Sequence, residues 1–126
     1  MPQVLTRDVW MYRDPTLATN LSKQQLVGYE VESIDGSIGK IDDASFETDT
    51  GHIVVDTGPW IFGKKVMLPV GVLRSVDHEN EKLFVNRTKD EIKNSPEFDD
   101  TLRQDESYRT QVGSYYGKGG SGYRDF

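Results

Sequence analysis

The chain has 126 residues, a formal net charge of −6 and no cysteine. That length suits one domain. The lack of cysteine excludes a disulfide framework, a thiolate metal site and a cysteine nucleophile, and the acidic balance argues against non-specific binding to nucleic acid or anionic lipid.

Hydrophobic residues make up 35% of the chain, below the usual globular level of about 45–50%. Polar ends around an ordinary middle account for the shortfall. No apolar run reaches the roughly 18 residues of a membrane-spanning helix. The start, MPQVLTRDVW, lacks a signal-peptide core. A soluble, cytoplasmic protein is the expectation.

Residues 1–20 read as an N-terminal arm whose anchors are Val9, Trp10 and Tyr12. Ser22-Lys23-Gln24-Gln25 has the capping-box pattern and predicts one helical turn. From there to residue 100 the chain reads as one domain. Val27, Tyr29 and Val31 alternate with Gly28, Glu30 and Glu32, which predicts a first strand from Val27 to Ser33. Asp35-Gly36 is a hairpin turn. The second strand runs from Ile38 to Glu47, where the inward set steps by three from Ile41 to Ala44. That step predicts a β-bulge at Asp42-Asp43.

Asp49-Thr50-Gly51 turns into a third strand, His52 to Asp56. A glycine-bounded loop follows, Gly58-Pro59-Trp60-Ile61-Phe62-Gly63, with three large apolar residues. The fourth strand, Lys65 to Val70, should lose regular pairing at Leu68-Pro69, because proline donates no hydrogen bond. Val72, Leu73 and Val76 continue as a short strand, and Asp77 to Glu81 turns. In the last strand Leu83, Val85 and the stem of Arg87 alternate with Lys82, Phe84 and Asn86. Thr88-Lys89-Asp90-Glu91 is a second capping box, opening a short helix that stops before Pro96. Residues 101–126 read as a tail, acidic at first and then rich in glycine and tyrosine, disordered by composition from residue 107. The fold class is therefore all-β: a small, closed or partly open barrel of five or six antiparallel strands, a short helix after the last strand, and flexible termini.

The order of these signals resembles the PRC-barrel family. Gly28 and Val31 match its first strand, and Asp35, Gly36, Ile38, Gly39, Lys40 and Ile41 match its hairpin motif. Leu68-Pro69, Val76-Asp77, Thr88-Lys89-Asp90 and Ser95-Pro96-Glu97-Phe98-Asp99 follow in the family's order. The Trp60 loop and Lys64-Lys65-Val66 look like a subgroup of single-domain bacterial members. The family includes the cytoplasmic domain of the photosynthetic reaction centre H subunit and the second domain of a ribosome-maturation factor. The resemblance therefore implies a non-enzymatic adaptor, docking a protein partner or sitting peripherally on a membrane electron-transfer complex. This chain lacks the transmembrane helix of the former and the companion barrel of the latter.

Trp60, Ile61 and Phe62, with Lys64 and Lys65 beside them, are the candidate protein-interaction residues, because aromatics fixed in a loop carry interface energy. The competing structural reading has the loop plugging a barrel mouth. Asp42, Asp43, Glu47 and Asp49 lack the spacing of a calcium loop and read as a solvated edge. His52 and His78 alone do not make a zinc site. Tyr108, Tyr115, Tyr116 and Tyr123, with Arg109, Lys118 and Arg124, are compatible with stacking on single-stranded nucleic acid, which the net charge disfavours. No catalytic residue, metal or cofactor is assigned. A marginal core and an apolar loop point to a homodimer. The alternatives to docking are a small-ligand or metal-binding barrel and an RNA- or ribosome-associated factor.

Overall fold

The computed structural model describes residues 23–46, 51–58, 64–102 and 105–118. A single turn of helix, α1 (Lys23–Leu26), leads into the sheet. Seven strands follow: β1 (Glu30–Ser33), β2 (Gly36–Ser45), β3 (His52–Asp56), β4 (Lys65–Pro69), β5 (Leu73–Asp77), β6 (Lys82–Val85) and β7 (Glu97–Phe98). The other helices are α2 (Lys89–Lys93) and α3 (Glu106–Lys118).

The strands form one sheet in the order β5-β6-β1-β2-β3-β4-β7. Two expectations need correction. The strand count is seven, because the short β7 adds itself to β4 through Lys65↔Phe98 and Val66↔Glu97. The pairing is not wholly antiparallel, since β6 runs parallel to β1. The chain between them winds through β2 to β5 and brings β6 back to the free side of β1. The sheet is curled but open, with β5 and β7 at its edges among the described residues.

Curling is written into β2. Its buried residues are Ile38, Ile41 and Ala44, a step of three that a regular strand cannot show. Two irregularities supply the extra residues. One lies opposite Val31/Glu32, and the other lies between Ile41 and Asp43, at the predicted bulge. Each bends the strand and deepens its twist. β3 and β4 are buried at successive positions, Ile53-Val54-Val55 and Val66-Met67-Leu68. Such continuous burial means both faces of these strands are covered. One face meets the core, and α3 packs on β4.

The first strand starts later than its alternation suggests. The chain turns at Val27-Gly28, with Gly28 at φ +96°, so Val27 points outward and is 47% exposed. β4 ends at Pro69 as its chemistry requires, and Val70–Val72 form a 3-10 turn before β5. The second capping box is formed in full. Thr88 Oγ1 accepts from the Glu91 amide, and the Glu91 carboxylate accepts from the Thr88 amide.

The largest departure is at the C-terminal side. Residues 107–118 are not disordered but belong to the 13-residue helix α3. Tyr108, Val112 and Tyr116 recur every four residues and are buried against the barrel. The glycines mask this helical period in the sequence. Among the described residues no helix is long and apolar enough to cross a membrane.

Candidate functional site

The candidate site is the end of the β3–β4 hairpin, where the chain leaves the sheet at Asp56 and re-enters it at Lys65. These two residues are paired across the strands. Immediately outside them, the Thr57 amide and hydroxyl both donate to the Lys64 carbonyl, at 3.2 and 2.7 Å. That pair of hydrogen bonds draws the two ends of the loop to one point on the rim. Asp56 Oδ1 accepts from the Gly58 amide at 2.9 Å and fixes the exit of the chain. Trp60, Ile61 and Phe62 lie outside the described residues, between these two fixed ends.

Lys64 and Lys65 are both described, and both are held. Lys64 Nζ donates to the Lys93 carbonyl at 3.0 Å, at the end of α2. Lys65 Nζ pairs with Asp42 at 3.0 Å, and the Asp42 carboxylate raises the Lys65 pKa above its ordinary value. With both side chains about a third exposed, this pair contributes little to stability. It does fix the direction of the ammonium group. The bulge at Asp42 is what turns that carboxylate toward β4.

An open groove of about 330 Å³ lies at the foot of the hairpin, lined by Glu30, Ser37, Gly39, Lys40, Asp56, Thr57 and Gly58. Its floor exists because residue 39 is glycine. A Cβ there would sit 2.1 Å from the Asp56 carbonyl oxygen. The polar groups of the groove are largely turned on one another. Glu30 accepts from the Ser37 hydroxyl at 2.8 Å, and Asp56 from Gly58.

The remaining candidates are dispersed. Asp42 is paired with Lys65, and Asp43 accepts from the Ala44 amide. Glu47 and Asp49 lie outside the described residues. His52 is buried on β3, whereas His78 is exposed in the β5–β6 turn and bonded through Nδ1 to the Tyr29 hydroxyl at 2.7 Å. No group of three or more histidine or carboxylate side chains is placed to hold a metal among the described residues.

Among the described residues the tail tyrosines do not form a stacking platform. Tyr108 and Tyr116 are buried, and burial pushes both phenols well above their ordinary pKa. Tyr115 is half-buried and donates to the Glu91 carbonyl at 2.6 Å. Tyr123 lies outside the described residues. What sequence reasoning missed is the partner of these rings. Arg87, 1% exposed, donates to the Asn86 and Tyr116 carbonyls at 2.7 and 3.1 Å and lies over the Tyr116 ring. The four-residue spacing of Tyr108, Val112 and Tyr116, with Asp105 accepting from the Tyr108 amide as a cap, was the available signal.

An uncharacterized protein of Deinococcus radiodurans is 34% identical over 90 residues, covering 68% of this chain and 31% of its own length. The chain thus spans about a third of that relative. A solved structure of a 16S ribosomal RNA processing protein, RimM, from Pseudomonas aeruginosa shares 20% identity with a TM-score of 0.49, over 56% of this chain and 46% of its own. The model of the PRC-barrel domain matches residues 19–92. With more than half of its length matched, and with the motif residues forming the hairpin, bulge and capped helix described above, the chain belongs to the PRC-barrel family.

Proposed function

We propose that this protein is a non-enzymatic interaction module of the cytoplasm, acting as an adaptor that holds a protein partner through Trp60, Ile61 and Phe62 with Lys64 and Lys65 at their flank. The observation that carries the reading is the neck of the β3–β4 hairpin. Thr57 and Lys64 close it, so the two ends of the segment that carries these three large apolar residues meet at one point on the rim. Lys64 and Lys65 are oriented by Lys93 and Asp42, which puts two positive groups beside that point on an otherwise acidic molecule. A partner suited to this edge is apolar at its centre and acidic at its rim. A peripheral subunit of a membrane electron-transfer complex is the family precedent. The barrel also pairs as a homodimer on this reading, since β5 leaves an edge open among the described residues.

The test is a pull-down from native cell extract with wild type and a Trp60→Ala/Phe62→Ala variant, with circular dichroism as the check on folding. Loss of a partner from a folded variant supports the docking surface. A folded variant that keeps every partner removes the loop from the interface, and a variant that unfolds makes the loop part of the core. A second reading, a small-ligand barrel, draws on the groove of about 330 Å³ at the same rim. The openness of that groove counts against it, because ligand sites bury most of the ligand's surface.

A further inference from the structure

One row of charges runs across the sheet. Lys65 on β4 stands opposite Asp56 on β3, Asp56 opposite Lys40 on β2, and Lys40 opposite Glu30 on β1. Glu30 stands opposite Lys82 on β6, and Lys82 opposite Asp77 on β5. None of these residues is buried, so the row lies on the outer face. The sign alternates at every step, and opposite charges across neighbouring strands favour that register. At the β4 end the row is closed by Phe98 of β7, which stands opposite Lys65. At the other end it stops on an acid. Asp77 has Lys82 on one side and, among the described residues, no strand on the other. The next position in the row calls for a cation.

The same strand carries one. Arg74 is exposed, and its guanidinium lies 5.9 Å from the centre of the Phe84 ring. Phe84 is two residues from Lys82 on β6, so Arg74 stands on the face that carries the row. The irregularity between Leu73 and Ser75 leaves Arg74 as the extra residue of β5. Acids follow it toward the turn, namely Asp77, Glu79 and Glu81. The Asn80 amide and side chain donate to Asp77 at 3.1 and 2.8 Å and fix the direction of its carboxylate. Between Arg74 and Asp77, Val76 is half-buried and packs on the core. A strand with a cation at its start and acids at its end is complementary to itself when reversed.

We propose that β5 pairs antiparallel with β5 of a second copy, with the two-fold axis at Val76, so that each Arg74 meets the other copy's Asp77 and carries the charge row across the interface. This register rests on the homodimer reading above and adds the contacts that hold it. Residues directly opposite each other share one face of a sheet. A centre at Val76 sets the two valines together on the inner face and each Ser75 against an Asp77 on the outer one. A slip of one residue along the partner sets Ser75 against Val76 and breaks that match. The regular stretch is short, Ser75 to Asp77, so the dimer is weak.

The chain has no cysteine, so a single introduced thiol reports the register. In full-length Val76→Cys the two thiols stand directly opposite. Opposed Cα atoms lie about 4.5–5.5 Å apart, which a disulfide spans, and oxidation gives a covalent dimer. In Ser75→Cys the two thiols are two residues out of step, about 7–8 Å apart, and the chain stays uncrosslinked. In sedimentation equilibrium Arg74→Glu raises the dimer Kd at least about fivefold, because two exposed ion pairs become two repulsions. Arg74→Lys, which keeps the charge, stays near wild type. A wild-type chain that remains monomeric overturns the homodimer and the register together. A wild-type dimer that is indifferent to Arg74→Glu, or that crosslinks through residue 75 and not 76, overturns the register and leaves the homodimer standing. If Val76→Cys does not fold, the Arg74→Glu comparison decides, since Arg74 is exposed and its replacement leaves the core intact.

Discussion

Gly39 shows how a motif position becomes a structural requirement. Its φ of +144° lies where side chains are strained, and the Asp56 carbonyl occupies the place a Cβ would take. Both effects act at once, and the obstacle is backbone, which cannot rotate away. Gly39→Ala is expected to cost about 3 kcal/mol or more, lowering Tm by roughly 10 °C in a calorimetric scan. Gly28→Ala is the control. Its φ of +96° is strained too, but nothing lies within 4 Å, so the cost falls to about 1–2 kcal/mol. Equal losses for the two would show that the contact with Asp56 does not matter. Arg87 carries the complementary lesson. Its stem alternates inward with Leu83 and Val85, as the strand pattern requires. Its charged head is buried as well, because a helix from outside the strand pattern covers it.

At the scale of elements, Asp35 links the β1–β2 hairpin to helix α2. Its Oδ1 accepts from the Lys89 amide at 2.8 Å and from the Ser33 hydroxyl at 3.0 Å. The Lys89 amide, foremost, holds the carboxyl below its ordinary value of 3.8. A lowered folded pKa means that ionised Asp35 stabilises the fold above the unfolded value and loses that contribution as pH falls through the folded one. The stability gap between wild type and Asp35→Asn should therefore be largest at neutral pH and close as pH drops below 3.8. Thermal melts across that range measure it, and a gap independent of pH would remove the carboxylate from the linkage. The same bond explains why the aspartate of the hairpin motif and the Thr88 capping box occur together. One anchors the start of α2 from outside, and the other caps it from within.

For the whole molecule, the question is how so small a barrel closes its core. A sheet that stays open between β5 and β7 exposes apolar surface unless something covers it. Helix α3 covers the β4 wall, and α1 lies against β2. At the β5 side the described residues offer no such cover for the strand edge, and this is the edge through which the proposed homodimer would pair. Light scattering at micromolar concentration should give about twice the 14.3 kDa chain mass. A mass of 14.3 kDa removes the dimer and leaves β5 protected by its own bulge at Arg74 and its charged residues.

Local chemistry determined most of the barrel from sequence alone. The strand at His52–Asp56, the bulge at Asp42, the end of β4 at Pro69 and the Thr88 capping box each depend on residues a few positions apart, whose preferences act wherever the chain goes. Tertiary structure alone decided the parallel return of β6 to β1, the addition of β7, and the helix over residues 106–118. Each of these depends on contacts between distant segments. β6 finds β1 because the sheet curls. The Tyr108–Tyr116 row becomes helical because a wall of the right shape, with Arg87 at its end, is already there to receive it.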